Sequence, residues 1–154
     1  MTRRELREHT FLLLFRKDFH EAEEMEEQLT LYFEGIELTD DEQGESARYR
    51  FLTLPEGTDA EEVKARFYDI CSHRDEIDAV LAEAASGWKL NRIGKVELTL
   101  LRMALYEMRY DEQTPEKVAI NEAVELCKSY NDEKAPAFVN GILNTVADKE
   151  GLKN

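Results

Sequence analysis

Residues 92–110, RIGKVELTLLRMALYEMRY, decide the fold class, because this stretch has the pattern of a helix that is buried over most of its surface. Between Val96 and Met108 most side chains are apolar. Five polar residues in and beside this stretch are spaced by four, three, four and three residues: Lys95, Thr99, Arg102, Tyr106 and Arg109. That spacing places them on one side of an α-helix. We therefore predict a helix over 92–110, capped by Asn91, that turns a stripe of cations, a hydroxyl and an aromatic ring towards solvent.

Six further amphipathic stretches accompany this helix, and capping or helix-breaking residues bound them. The predicted helices cover about 3–19, 22–34 and 75–85, and others begin at Thr58, after a Thr114 cap, and at Pro136. Only three prolines and seven glycines occur, which argues against a β-sandwich with its frequent turns. We expect an all-α protein of about seven helices in an orthogonal bundle, with two packed subdomains over about 1–86 and 87–154.

The net charge of −14 is concentrated in one part of the chain. Residues 18–45 contain twelve acidic residues and no lysine or arginine, which leaves −2 for all other residues. Residues 1–17 carry five basic and two acidic side chains, a net charge of +3. Salt screens charges beyond about 8 Å at physiological ionic strength, so a basic patch away from the acidic segment keeps its own field. RNA binding is therefore not excluded, although broad non-specific binding is disfavoured.

The sequence lacks the motifs of common catalytic and metal sites. It has no glycine-rich phosphate loop, no CxxC, no HExxH and no Ser or Cys placed with a His for nucleophilic work. Cys71 and His73 supply too few ligands for zinc. Two distant cysteines, Cys71 and Cys127, and no secretory signal favour the cytoplasm, and the longest apolar run, Phe11 to Phe15, cannot span a membrane. We expect neither an enzyme nor a metal or other cofactor.

Two basic clusters have the composition of an RNA-binding surface. Arg3, Arg4 and Arg7 lie in the first turns of the first helix, where Arg3 and Arg7 share a face. Guanidinium groups of this kind suit phosphates and base edges. Taken alone, an ordinary basic N-terminus explains this cluster at least as well.

The stripe on residues 92–110 is the second cluster. Lys95 and Arg102 suit phosphates, and the ring of Tyr106 suits an unstacked base. A solvated stripe of long side chains over the core is an equally good explanation. The start of the seventh helix, with Phe138 one turn in, is a weaker candidate for holding a phosphate.

Three motifs, in order and spacing, resemble the signature of the NusB family. They are Trp88-x-Leu90-x-Arg92-Ile93 continuing into residues 96–108 (VELTLLRMALYEM), residues 115–126 (PEKVAINEAVEL), and residues 138–143 (FVNGIL). The start of the chain, Arg3-Arg4-x-x-Arg7-Glu8 followed by Leu14-Phe15, is similar to the arginine-rich first helix of that family.

This resemblance implies an RNA-binding regulator of transcription. A NusB-type factor binds the boxA element of nascent single-stranded RNA together with NusE, a small ribosomal-subunit protein. The pair acts in the transcription elongation complex and helps RNA polymerase to read through terminators, notably in ribosomal RNA operons. Carried over by position, the RNA-contacting residues are Arg3, Arg4, Arg7, Arg102 and Phe138, and the partner-contacting residues are Phe15 and Glu97.

The sequence departs from the family pattern at three places. Phe15 replaces an expected tyrosine, which removes a hydroxyl from the partner contact. Ala135-Pro136-Ala137 stands where some relatives have a polar Ser-His-Lys stretch, which weakens the case for phosphate binding there. The acidic loop over 36–54 is longer than expected.

Two other functions fit the same sequence. One is a helical protein–protein adaptor that uses the acidic region 18–45. The other is a stand-alone relative of the RNA-binding domain of ribosomal RNA cytosine methyltransferases. In the absence of the ribosomal partner, an exposed apolar first helix would allow a homodimer that hides the arginines.

Overall fold

The computed structural model describes residues 1–34, 54–87, 89–131 and 134–150, and every regular element within these ranges is helical. The predicted all-α class is therefore confirmed. The α-helices are α1 (Arg3–Lys17), α2 (Met25–Glu34), α3 (Gly57–Ser72), α4 (Arg74–Ala84), α5 (Lys95–Tyr110), α6 (Glu116–Tyr130) and α7 (Ala135–Glu150). Single 3₁₀ turns cover Ala22–Glu24 and Leu90–Arg92. The predicted acidic loop over 36–54 lies almost entirely outside the described residues.

The chain divides into two compact units, residues 1–67 and 68–154. The division falls inside α3, whereas the sequence suggested a boundary near Ser86. Capping residues and glycines bound single helices, but they do not show which neighbouring helices share a core.

The starts of α3 and α5 differ from the predicted ones. The carbonyl of Glu56 accepts the N–H of Ala60, so Glu56 takes the capping position that was predicted for Thr58. Before α5, the N–H of Arg92 donates to the carbonyl of Lys89 at 2.8 Å and closes a separate 3₁₀ turn. Asn91 lies within that turn, and Gly94 caps the helix instead. The missed feature in α5 is thus an extra turn that the capping rules do not reveal.

The N-terminal unit is built on α1. Its first turn is held by a capping box in which the N–H of Glu5 donates to Thr2 and the N–H of Thr2 donates to the Glu5 carboxylate at 2.9 Å. That bond from the Thr2 backbone is the main reason why the pKa of Glu5 is lowered. Residues 11–14 are all buried within the chain, so no partner is needed to explain why this stretch is apolar on every side.

Contacts between side chains join the elements of this unit. The hydroxyl of Tyr32 on α2 lies 2.5 Å from Nδ1 of His9 on α1, and both side chains are buried. The ammonium group of Lys64 on α3 lies over the ring of Phe33 at 5.2 Å from its centroid. The guanidinium of Arg3 pairs with Glu62 on α3.

The C-terminal unit is built around α5, against which α4, α6 and α7 pack. Every side chain from Leu98 to Met108 is buried except that of Arg102. Val139 and Leu143 of α7 and Cys127 of α6 are also fully buried. Burial of so much apolar surface stabilises the unit at about 25 cal/mol per Å².

Arg102 is joined to α4 by a forked ion pair with Asp78. Its Nε donates to Oδ1 at 2.8 Å and its Nη2 donates to Oδ2 at 3.0 Å. The Arg102 side chain is only 12% exposed, so water competes little for these bonds.

We predict that Asp78→Ala lowers the free energy of unfolding by about 1–3 kcal/mol, because a mostly buried guanidinium loses its carboxylate. A matched control is Glu125→Ala, which removes the carboxylate of the exposed Lys128–Glu125 pair and costs at most about 0.5 kcal/mol. Urea denaturation of both variants measures the difference. Equal, small losses in the two variants would show that the forked pair does not stabilise the unit.

Candidate nucleic-acid interface

The arginines at the start of α1 lie on a helix end that the capping box holds in place. Arg3 and Arg4 are exposed, and Arg7 is half-buried. Cations in the first turn of a helix oppose the helix dipole, typically at a cost of about 0.3–1 kcal/mol each. The helix itself therefore gains nothing from this cluster; Arg3 pairs with Glu62 on α3, and guanidinium groups also suit an anion.

The predicted solvent stripe on α5 is only partly exposed. Lys95 and Arg109 at its two ends are exposed, but Thr99 is 2% and Tyr106 is 8% exposed. The hydroxyl of Thr99 donates to the carbonyl of Lys95 at 2.7 Å, and the hydroxyl of Tyr106 donates to Asp69 at the end of α3. The expectation that Thr99 and Tyr106 face solvent is wrong, because the spacing defines a side of the helix without showing what covers it.

An aromatic and acidic cluster beside Tyr106 was not predicted from the sequence. The ring of His73 stacks on that of Tyr110 with centroids 4.0 Å apart, and the Tyr110 hydroxyl donates to Glu76 at 2.6 Å. Burial, followed by the bond to Glu76, raises the pKa of Tyr110. The four-residue spacing from Asp69 to His73 and from Tyr106 to Tyr110 is the sequence signal that marks this cluster. This cluster supports the ends of its helices, and it leaves Tyr106 with no exposed ring surface for a base.

A cleft of about 230 Å³ opens where α5 and α7 begin. Its lining includes two cations, one carboxylate and one aromatic ring, and the residues are Arg92, Ile93, Gly94, Glu97, Lys134, Ala135 and Phe138. A predicted RNA residue, Phe138, and a predicted partner residue, Glu97, thus line one cleft. Because Glu97 and Phe138 are about forty positions apart in the sequence, the sequence alone did not indicate that they lie close together.

The carboxylate of Glu97 is held in a fixed position. The side-chain amide of Asn131 donates to its Oε1 at 2.7 Å. A Cβ atom added to Gly94 would lie 2.6 Å from the same oxygen, so the glycine leaves the space into which the carboxylate folds. The carboxylate of Glu97 therefore lies against the first turn of α5, and the same side chain lines the cleft.

Phe15 is the middle ring of an aromatic ladder that continues past the end of α1. Its centroid lies 6.0 Å from that of Phe11 and 5.1 Å from that of Phe19. Phe11 is buried, Phe15 is half-buried and Phe19 is 60% exposed. Phe19 was missed, although the four-residue spacing of the three rings was visible in the sequence. The half-buried Phe15 and the exposed Phe19 thus form a small apolar patch at the end of α1.

Within the residues that the structure describes, no three His, Cys, Asp or Glu side chains are grouped to hold a metal ion. In those same ranges, no helix has the length and apolar character to cross a membrane.

Comparisons with known proteins agree with these features. The sequence model of the NusB family matches residues 4–148. A transcription antitermination protein NusB from Lachnoclostridium phytofermentans is 48% identical over 148 residues, which cover 96% of this chain and 100% of that protein. The NusB from Agathobacter rectalis is 40% identical over 143 residues, 93% of this chain and 97% of that protein. These relatives are regulators of transcription, in agreement with the prediction that the chain is not an enzyme.

Solved structures share the fold. The NusB of T. maritima matches with a TM-score of 0.71 at 26% identity, over 97% of this chain and 92% of that one. A structure of the antitermination factors NusB and NusE in complex with dsRNA matches with a TM-score of 0.69 at 23% identity, over 96% of each chain. The family match over nearly the whole sequence, together with these relatives, shows that the chain belongs to the NusB family of transcription antitermination proteins.

Proposed function

We propose that this chain binds the boxA element of single-stranded nascent RNA jointly with the ribosomal protein NusE. The pair then joins the transcription elongation complex in the cytoplasm and promotes read-through of terminators, notably in ribosomal RNA operons. The observation that carries this proposal is the family match over residues 4–148, which includes the arginine-rich first helix and the FVNG motif.

The proposed RNA-contacting set consists of basic side chains and one aromatic ring. Its residues are Arg3, Arg4, Arg7, Lys95, Arg102 and Phe138. The exposure of Arg3, Arg4 and Lys95 supports phosphate contacts, and the half-buried Phe138 retains ring surface for a base. Tyr106 acts in this proposal as a support for α5 and not as a stacking platform.

The number of cations implies weak binding by the chain alone. Each phosphate contact to single-stranded RNA contributes a salt slope of roughly 0.7, so a few contacts give a shallow dependence. The net charge of −14 adds unfavourable long-range repulsion. NusE therefore supplies much of the RNA surface, and RNA and NusE strengthen each other's binding by the same factor.

Phe15 and Glu97 are the proposed NusE contacts. The exposed Phe19 beside Phe15 supports a protein-binding surface at the end of α1. The acidic residues that follow Phe19 in the sequence, Glu21, Glu23 and Glu24, suit a ribosomal protein, since proteins that bind ribosomal RNA are basic. Self-association of two copies through Phe15 and Phe19 would compete with NusE.

We predict that Arg7→Glu weakens boxA binding at least about tenfold in the presence of NusE, because a guanidinium that contacts RNA becomes a repelling carboxylate. Lys128→Glu makes the same change of charge on the exposed face of α6 and serves as the control. Fluorescence anisotropy with labelled boxA RNA measures both affinities, and circular dichroism checks the fold. Equal affinities for the two variants and the natural protein would refute an RNA role for α1.

We predict that Phe15→Tyr tightens NusE binding about two- to tenfold, because it restores a hydroxyl that gains a hydrogen bond of about 0.5–1.5 kcal/mol. Phe19→Tyr adds the same hydroxyl one turn later and should change the affinity little. Isothermal titration calorimetry with NusE compares the two. Unchanged or weaker binding by Phe15→Tyr would place the partner contact elsewhere.

A further inference from the structure

We propose that the cleft at the start of α5 and α7 holds one phosphate of the bound RNA on Arg92 and Lys134, with an adjoining base against Phe138. This inference rests on the proposed RNA-binding function. It adds two residues to which neither the motifs nor the family resemblance gives a role.

The helix ends that border the cleft cannot hold the phosphate by themselves. Pro136 is the second residue of α7 and has no N–H, so one of the donors that a helix start normally offers to an anion is missing. Ala135 and Ala137 on either side bring no polar side chain. At the start of α5, the carboxylate of Glu97 folds back against Gly94 and occupies the position that an anion would take.

Side-chain cations on both sides of the cleft replace these donors. Arg92 is the last residue of the 3₁₀ turn before α5. Lys134 precedes α7, where its carbonyl accepts the N–H of Phe138 at 3.3 Å. Backbone hydrogen bonds hold both residues in place. Both side chains line the cleft, and because both residues are exposed, their charged ends reach solvent. A guanidinium and an ammonium group across one cleft suit a phosphate diester.

The Glu97 carboxylate sets the orientation of the nucleotide. Its negative charge repels a phosphate from the part of the cleft that it lines, so the phosphate lies at the mouth beside the two cations. The volume of about 230 Å³ is below that of a pocket for a drug-sized ligand and suits a single base. The half-buried ring of Phe138 then offers a face for stacking.

The salt dependence of RNA binding tests this assignment. The variants are Arg92→Ala and Lys134→Ala, and the control is Lys117→Ala, which removes an exposed lysine at the start of α6. Each protein is titrated, with NusE at saturation, against a boxA RNA and a scrambled RNA of equal length over a range of salt concentrations. Because a phosphate contact carries no sequence information and both cations hold the same phosphate, the plot of log affinity against log salt should become shallower for both RNAs in each cleft variant, by at most about 0.7, the contribution of one phosphate. Lys117→Ala should leave the slope unchanged.

A second variant separates the aromatic contact from the charges. Phe138→Leu should weaken binding about five- to 150-fold, since stacking on a base contributes about 1–3 kcal/mol, without changing the salt slope. Thermal unfolding confirms that each variant is folded before its affinity is compared.

The outcomes distinguish a failure of the phosphate site in the cleft from a failure of the proposed boxA function. Suppose that the natural protein prefers boxA over scrambled RNA but the salt slopes of Arg92→Ala and Lys134→Ala are unchanged. That result would overturn the phosphate site in the cleft and leave the proposed boxA function standing. Shallower slopes without any boxA preference would support the cleft and overturn the proposed boxA function. No binding of either RNA by the natural protein would overturn both.

Discussion

Helix α5 buries every side chain from Leu98 to Met108 except that of Arg102, and the C-terminal unit depends on this constraint. Three other helices pack against it, so its backbone cannot move without opening the core. Its start carries Glu97 to the cleft, its middle carries Arg102 to Asp78, and its end carries Tyr110 to His73. Functional side chains on a buried helix are held more precisely than side chains on a loop.

Electrostatics give a physical reason why the proposed RNA binding would depend on a partner. Acidic residues dominate the total charge, and the candidate RNA contacts are a small set of arginines and lysines. Arg102 is already paired with Asp78, so an RNA phosphate competes with a carboxylate for the same guanidinium. A factor of this kind gains affinity and selectivity when a second protein extends the RNA surface, and it avoids binding to RNA at large.

Apolar periodicity predicted the helices because each one must bury a continuous face. It could not predict the burial of Tyr106, since four- and three-residue steps group side chains without showing that Asp69 of α3 covers that side. The cleft was equally hidden, because it depends on an unexpected 3₁₀ turn before α5 and on Gly94, which caps α5 and leaves space for Glu97. The roles in RNA and partner binding came from the family resemblance, since spacing alone left Arg3, Arg4 and Arg7 compatible with an ordinary basic N-terminus.

Calorimetric co-titration is the most direct test of the claim that RNA and NusE bind this chain together. The affinity for boxA RNA is measured with and without saturating NusE, and the affinity for NusE is measured with and without saturating RNA. We predict that both affinities rise by the same factor, within about 5- to 150-fold, because linkage between two sites is reciprocal. Affinities for each component that are unaffected by the other would contradict joint recognition.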